Sequence, residues 1–253
     1  MCGATIQVPC IITSQFENII ECATIYLGYG YLISLESLTI IRFLTDRNFN
    51  GTYASSDDFI DRVTISIEQL TILIRIDAFG FTSRSKTELL WEAIFKLNVN
   101  KQETTQARLF KTNHRKFQLP SLSTTNVEDA YDQIELLGFP LCGYFQLVDN
   151  GLNDGIKAND LNKYKNKNAL LNDVLVNTRF HKTSHGKRIR FCTFVDQDGH
   201  CFETVHFTKV VDKYPINGMG VYTCYGKVKE EFDFCSLDII WTNKMSLTPD
   251  PRG

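Results

Sequence analysis

Three consecutive stretches decide how the last third of this chain folds: Arg188-Ile189-Arg190-Phe191-Cys192-Thr193-Phe194-Val195, then Asp196-Gln197-Asp198-Gly199, then Cys201-Phe202-Glu203-Thr204-Val205-His206-Phe207. The outer two carry β-branched and aromatic residues in an alternation of period two, which is a strand pattern. The Asp-Gly between them tolerates the positive φ of a tight hairpin turn. Working outward, Val174 to Lys182 reads as a strand ahead of this hairpin. Gly220 to Phe232 and Phe234 to Met245 read as two more after it, with a helical turn near Lys209 to Tyr214 in between. Three strands, a short helix and two strands is the order of a five-stranded OB-fold barrel.

Upstream the period changes to three and four, and the first hundred residues read as helices joined by turns. Leu35, Leu38, Ile41 and Leu44 form one stripe after Ser34, and a short helix runs through Asp57, Phe59, Ile60 and Val63. Ser66 with Gln69 opens a helix carrying Leu70, Leu73, Ile74 and Ile76, and Ser85 with Glu88 makes a capping box ahead of Leu89, Leu90, Ala93, Ile94 and Leu97. From Lys101 to Thr125 the pattern fades into a polar connector, interrupted by Leu109 and Phe110. Asn126 then caps a helix through Val127, Ala130, Tyr131, Ile134 and Leu137, and Gly138 stops it. Asn150 to Asn172, rich in Asn, Lys and Gly, reads as a loop. The expected architecture is therefore α+β: an N-terminal all-helical domain over 1–100, a linker with one helix over 101–172, and the barrel over 173–253.

Composition sets limits on function. With 43% hydrophobic and 22% charged residues the chain is that of an ordinary globular protein. Its apolar runs, such as Leu70 to Ile76, stop well short of a membrane span, and the N-terminus lacks the layout of a signal peptide. A cytoplasmic protein with no membrane partner is expected. Eight cysteines, at 2, 10, 22, 142, 192, 201, 224 and 235, form no C-x-x-C pair and read as reduced, mostly buried thiols. His181, His185, His200 and His206 lie near carboxylates and cysteines, but their spacing fits no familiar metal motif, so no metal, cofactor or catalytic residue is expected. Lys and Arg total 27 against 29 Asp and Glu, a net charge of -2, so any affinity for nucleic acid rests on local patches.

The best such patch is Arg179 to Arg190, where Arg179, Lys182, Lys187, Arg188 and Arg190 meet no intervening acid. On the strand that follows, Arg190, Cys192 and Phe194 share one face. On the next, Phe202, Thr204 and His206 share a face. If the Arg190 side points outward, Phe194 and His206 stack on bases; if inward, they fill the barrel.

Several motifs together resemble one known family. Ile25-Tyr26-Leu27-Gly28, Tyr53 through Val63, Leu73 through Phe79, Lys86 through Ala93, Glu135 through Leu141, Phe194-Val195-Asp196 and Thr204 through Phe207 are similar, in order and over nearly the whole chain, to the C-terminal portion of the bacterial DNA polymerase III alpha subunit in its Bacteroidetes form. The resemblance implies a helix-hairpin-helix region that holds DNA, a sliding-clamp-binding peptide and an OB domain near single-stranded template DNA, with other polymerase III holoenzyme subunits as further partners. It places the clamp peptide at Gln106-Ala107-Arg108-Leu109-Phe110, where Leu109 and Phe110 enter an apolar pocket and Gln106 anchors the backbone. The family's palm aspartates and PHP domain lie upstream of these motifs and no segment here resembles them, so no polymerase activity is expected of this chain alone. Around Ile33-Ser34-Leu35-Glu36 the usual hairpin glycines are replaced, and Asp77 stands where relatives often have Gly. Those departures point to a structural role for the hairpins. Two other readings stand beside this one: half of a split polymerase completed by another chain, and a degenerate duplicate that binds nothing.

Overall fold

The computed structural model describes residues 3–103, 125–149, 155–183, 186, 188–231 and 234–253. The chain divides into two compact units, Cys2–Leu141 with Asp250–Arg252, and Cys142–Pro249. Among the described residues no helix is long and apolar enough to cross a membrane.

The first unit opens with a small sheet, β1 (Thr5–Gln7), β2 (Ile19–Glu21) and β3 (Thr24–Tyr26), in the order β1-β3-β2. This sheet adds to the helical reading of the region. Its strands are three residues each, too short for a period-two signal to register in the sequence. Gly28 follows directly, and a Cβ there would meet the Glu17 backbone at 2.4 Å, so only glycine lets the two segments approach.

Five helices complete the unit: α1 (Ser37–Asn50), α2 (Ser56–Arg62), α3 (Ile67–Arg75), α4 (Lys86–Glu103) and α5 (Asn126–Leu137). The start signals hold at α3, where the Ser66 hydroxyl accepts from the Gln69 amide, and at α4, where Ser85 and Glu88 bond reciprocally at 3.1 and 3.2 Å. At α5 the cap is Thr125, one residue earlier than read, in a full capping box with Glu128; Gly138 ends the helix at φ 87. Helix α5 is tied into this unit by Arg75–Asp132 and Lys86–Asp129 ion pairs, and is not part of a free linker.

The stripe read for α1 is corrected. Leu38 and Ile41 are 72% and 53% exposed, while Thr39, Ile40, Phe43 and Arg47 face the core. Apolar residues lie nearly all round this helix, so two overlapping stripes fit the sequence. The charge that would mark solvent, Arg47, is buried and donates to the Ile11 carbonyl at 3.0 Å. Nor is Ser34 a helix cap: it sits at φ 66 in the turn before Glu36. The core these helices share is aromatic, with Tyr29 on Phe43 at 4.8 Å and Phe59 on Phe79 at 5.3 Å.

The second unit is a closed barrel of β4 (Asn168–Lys182), β5 (Arg188–Val195), β6 (Cys201–His206), β7 (Val221–Glu231) and β8 (Phe234–Lys244), in the order β4-β5-β6-β8-β7. Helix α6 (Thr208–Lys213) lies between β6 and β7. This is the OB arrangement. Strand β4 closes it: Asn168 to Val174 pair with β7, and Val174 to Lys182 pair with β5. A bulge between Leu175 and Asn177 interrupts the pairing with β5. Gly226 on β7 is held against β8, where a Cβ would lie 2.3 Å from the Asp238 carbonyl oxygen.

Part of the loop read over 150–172 is ordered structure. Ala158–Tyr164 forms a 3-10 segment whose Ala158 and Leu161 are buried, and β4 begins at Asn168, six residues ahead of its reading. Polar Asn168, Asn172 and Asp173 hid the alternation, because Asp173 takes an inward position that an apolar residue usually holds. Of the described cysteines only Cys192 and Cys224 are buried; Cys22, Cys142 and Cys201 are exposed, contrary to the expectation of mostly buried thiols.

Candidate nucleic-acid interface

Beyond Leu175, β4 has β5 as its only paired neighbour among the described residues, and its alternating burial gives way to continuous exposure from Val176 to Lys182. The two strands thus run on as an arm. Its register sets Arg179 opposite Phe191 and Phe180 opposite Arg190. Each face of the arm therefore carries one cation and one ring. On one face the Arg190 guanidinium lies over the Phe180 ring at 4.0 Å. Phe180 is 60% and Phe191 38% exposed, so both rings are open to solvent beside charge.

The basic residues read from the sequence separate into groups. Arg179 and Lys182 are exposed and form no ion pair with a described residue. Arg188 is exposed but pairs with Asp212 at 2.7 Å, which offsets its charge. Arg190 is half-buried and donates to the Ile216 carbonyl at 3.2 Å. Lys187 lies outside the described residues, as do His185 and the whole clamp peptide, Gln106, Leu109 and Phe110.

Phe194 and His206 are corrected: neither is available to a base. Phe194 is fully buried between Phe202 and Tyr222, with ring centroids at 5.9 and 6.0 Å. His206 is also fully buried, its Nε2 sharing a hydrogen with Thr204 Oγ1 at 2.9 Å. Burial, reinforced by the charge of Arg190, pushes its pKa down to about 4, so the ring is neutral at pH 7. The Arg190 side of β5 thus points inward over most of its length. The rings that do face solvent, Phe180 and Phe191, were missed. They lie in the same alternation, but a sequence in which arginine occupies an inward position cannot say which face is which.

The two hairpin turns of the helical unit are braced from within. Ser34 and Asp77 hold φ of 66 and 65, the left-handed region that glycine fills at least cost. At the first, Gln69 from α3 accepts the Glu36 amide and donates to the Ser34 carbonyl. At the second, burial raises the pKa of Asp77, partly countered by Lys86.

Asp196, Asp198 and His200 bring three potential ligand atoms within 4.8 Å of one another. The Asp196 oxygens, however, accept from the amides of Ala158, Asp198 and His200 at 3.1, 2.9 and 2.8 Å, and Lys157 pairs with Asp198 at 2.6 Å. Those bonds make the cluster a brace for the β5–β6 turn.

A family model described as the helix-hairpin-helix motif matches residues 3–89. No match was found among curated protein sequences. Among solved structures, the chain is similar to the protein PriB from Ralstonia solanacearum, at 16% identity over 30% of this chain and 95% of that one, with a TM-score of 0.27. It is similar to the second OB-fold domain of replication protein A from Methanococcus maripaludis, at 11% identity over 34% and 91%, TM-score 0.28. It is also similar to RecG in a structure bound to a three-way DNA junction, at 10% identity over 86% of this chain, TM-score 0.24; there the chain spans 32% of the RecG length. Its first unit thus carries a helix-hairpin-helix region, and its second is a five-stranded closed barrel of OB type.

Proposed function

We propose that this chain is a DNA-holding module of the replicative type, corresponding to the C-terminal part of a DNA polymerase III alpha subunit. The observation that carries the DNA-binding part is the β4–β5 arm, where Arg179 and Lys182, with no ion partner among the described residues, stand beside exposed Phe180 and Phe191. Cations that track phosphates, with rings on which bases stack, are the means by which single strands are held without sequence readout. The OB-type barrel is a scaffold suited to that task. The collinear motifs from Ile25 to Phe207 support the family placement, and the Gln106, Leu109 and Phe110 peptide supports a sliding clamp as second partner.

Titration of a fluorescent single-stranded oligonucleotide with the full chain, repeated across salt concentrations, tests the first part. Micromolar binding that weakens steeply with salt is expected; no binding at low salt overturns it. Capture on an immobilised bacterial sliding clamp, with and without Leu109→Ala and Phe110→Ala together, tests the second. Capture that survives the double change removes the peptide from the proposal.

A further inference from the structure

At the end of the barrel where β4 runs on into the arm, Leu175, Val176 and Thr178 on β4, Arg190 on β5, and Ile216 with Met219 ahead of β7 wall a cleft of about 230 Å³. The walls are mainly apolar. The β4 bulge turns Val176 outward, and Met219 on the opposite rim is also exposed. One wall is charged. The Arg190 guanidinium is fixed twice, by its bond to the Ile216 carbonyl at 3.2 Å and by the Phe180 ring at 4.0 Å. Its Nε is nonetheless buried with no acceptor among the described residues. The guanidinium carries further donors beyond Nε and the bond to Ile216, so an acceptor delivered into the cleft meets a charge-assisted donor.

We propose that this cleft receives one base of a bound single strand, and that it favours a keto-bearing base. The keto oxygen at the 4-position of thymine accepts from the Arg190 guanidinium, while Val176 and Met219 cover the apolar parts of the heterocycle. Cytosine presents an amino donor at that ring position, so its 4-substituent opposes the guanidinium where thymine's pairs with it. The proposal rests on the single-strand reading above and deepens it: the exposed side of the arm holds phosphates and stacked bases, and the cleft adds selection of a base. The arginine is a binding residue here, and the cleft works on one nucleotide at a time.

Oligothymidylate and oligodeoxycytidylate of equal length, both weakly stacked pyrimidine strands, are titrated with the full chain at low salt. The wild type is expected to bind the thymidylate roughly tenfold more tightly, the scale of one base contact. Met219→Trp, at a solvent-exposed rim position, fills the cleft, and Arg190→Lys keeps the charge while removing the guanidinium fork. Both are expected to bring the two affinities together, chiefly by lowering the thymidylate affinity. Unchanged preference in a folded Met219→Trp chain overturns the cleft and leaves the single-strand reading intact, whereas a wild type that binds neither oligonucleotide overturns both. Photo-cross-linking with 5-iodouracil in the thymidylate, followed by peptide mapping, gives an independent readout. Adducts within 175–180 or 214–220 support the cleft, and adducts confined to other segments refute it.

Discussion

Gln69 accepts the backbone N–H of Glu36 through its Oε1 at 2.7 Å, and so occupies an amide at the start of α1 that a phosphate-binding hairpin would leave open. Its Nε2 donates to the Ser34 carbonyl at 3.0 Å, which closes the turn from the other side. Helix α1 has no side-chain cap of its own at Glu36, so Gln69 supplies one from a distant helix. Gln69→Ala is expected to destabilise the chain by about 1–2 kcal/mol in urea unfolding. Glu36→Gln, which removes the acidic charge from that turn, is expected to leave duplex DNA affinity unchanged. A tenfold gain would return the hairpin to the list of DNA contacts.

The arm and the barrel interior respond differently to substitution. Arg179→Ala with Phe191→Ala removes one exposed cation and the ring paired across from it. Single-strand affinity is expected to drop by tenfold or more, with the salt slope reduced by roughly 0.7 for the lost charge. Unfolding free energy should barely change. Phe194→Ala does the reverse, costing about 3–5 kcal/mol of stability because the ring is fully buried. Its folded fraction should bind DNA normally, and selective loss of binding there would contradict the interior placement of this residue.

Two buried titratable groups give the barrel an asymmetric response to pH. Asp173 has its pKa raised from 3.8 to about 8, by burial first and by the Asp196 carboxylate second. The folded state therefore keeps a proton that the unfolded chain has lost, and stability falls as pH rises from about 4 to about 8. His206, lowered from 6.5 to about 4, works in the other direction, and its penalty grows as pH falls through that interval. The two slopes oppose each other below pH 6.5, and from there to pH 8 Asp173 acts alone. Asp173→Asn is expected to gain on the wild type by about 2 kcal/mol between pH 6.5 and 8. Urea unfolding in a Trp91→Phe background, where Trp241 alone reports, measures the difference. A constant gap across that range would show that Asp173 does not titrate in this way.

Asp132 on α5 is nearly inaccessible and meets Arg75 at 2.7 Å, Arg252 at 2.8 Å and Lys86 at 3.6 Å. Removing the shared acid leaves Arg75, Lys86 and Arg252 with only their outer partners, Glu135, Asp129 and Asp250, so Asp132→Ala is expected to cost about 2 kcal/mol. Glu135→Ala, which takes a mostly exposed partner from the same Arg75, should cost no more than about 0.5 kcal/mol. Thermal unfolding of the two variants side by side decides the matter, and equal losses would remove Asp132 from the centre of the network.

Elements with local signals were legible in the sequence, and elements decided by distant partners were not. The bounds read for β5 are those observed, since its whole alternation lies within eight residues. The capping residues of α3 and α4 likewise carry their partners three positions away. The small sheet was missed because pairing across some twenty residues, not any strand pattern, holds Thr5–Gln7 to Thr24–Tyr26. The site shows the same division. Its charges were visible, but which rings accompany them depends on whether Arg190 points inward. The Ile216 carbonyl and Phe180 decide that, and neither is marked as a partner by its sequence position.

The crossed pairing on the arm also bears on how the arm finds its alignment during folding. With Arg179 opposite Phe191 and Phe180 opposite Arg190, each of these two cations faces a ring, while Lys182 lies opposite Arg188 at the arm's end. A slip of one residue in one direction sets Arg179 against Arg190, and in the other it stacks Phe180 on Phe191 while leaving Arg179 opposite Cys192. The first misalignment is repelled by like charge, and the second loses both mixed pairs and reverses every side chain relative to the barrel. Those four residues thus act as a built-in alignment key, one that rejects mispaired arms before any ligand is present.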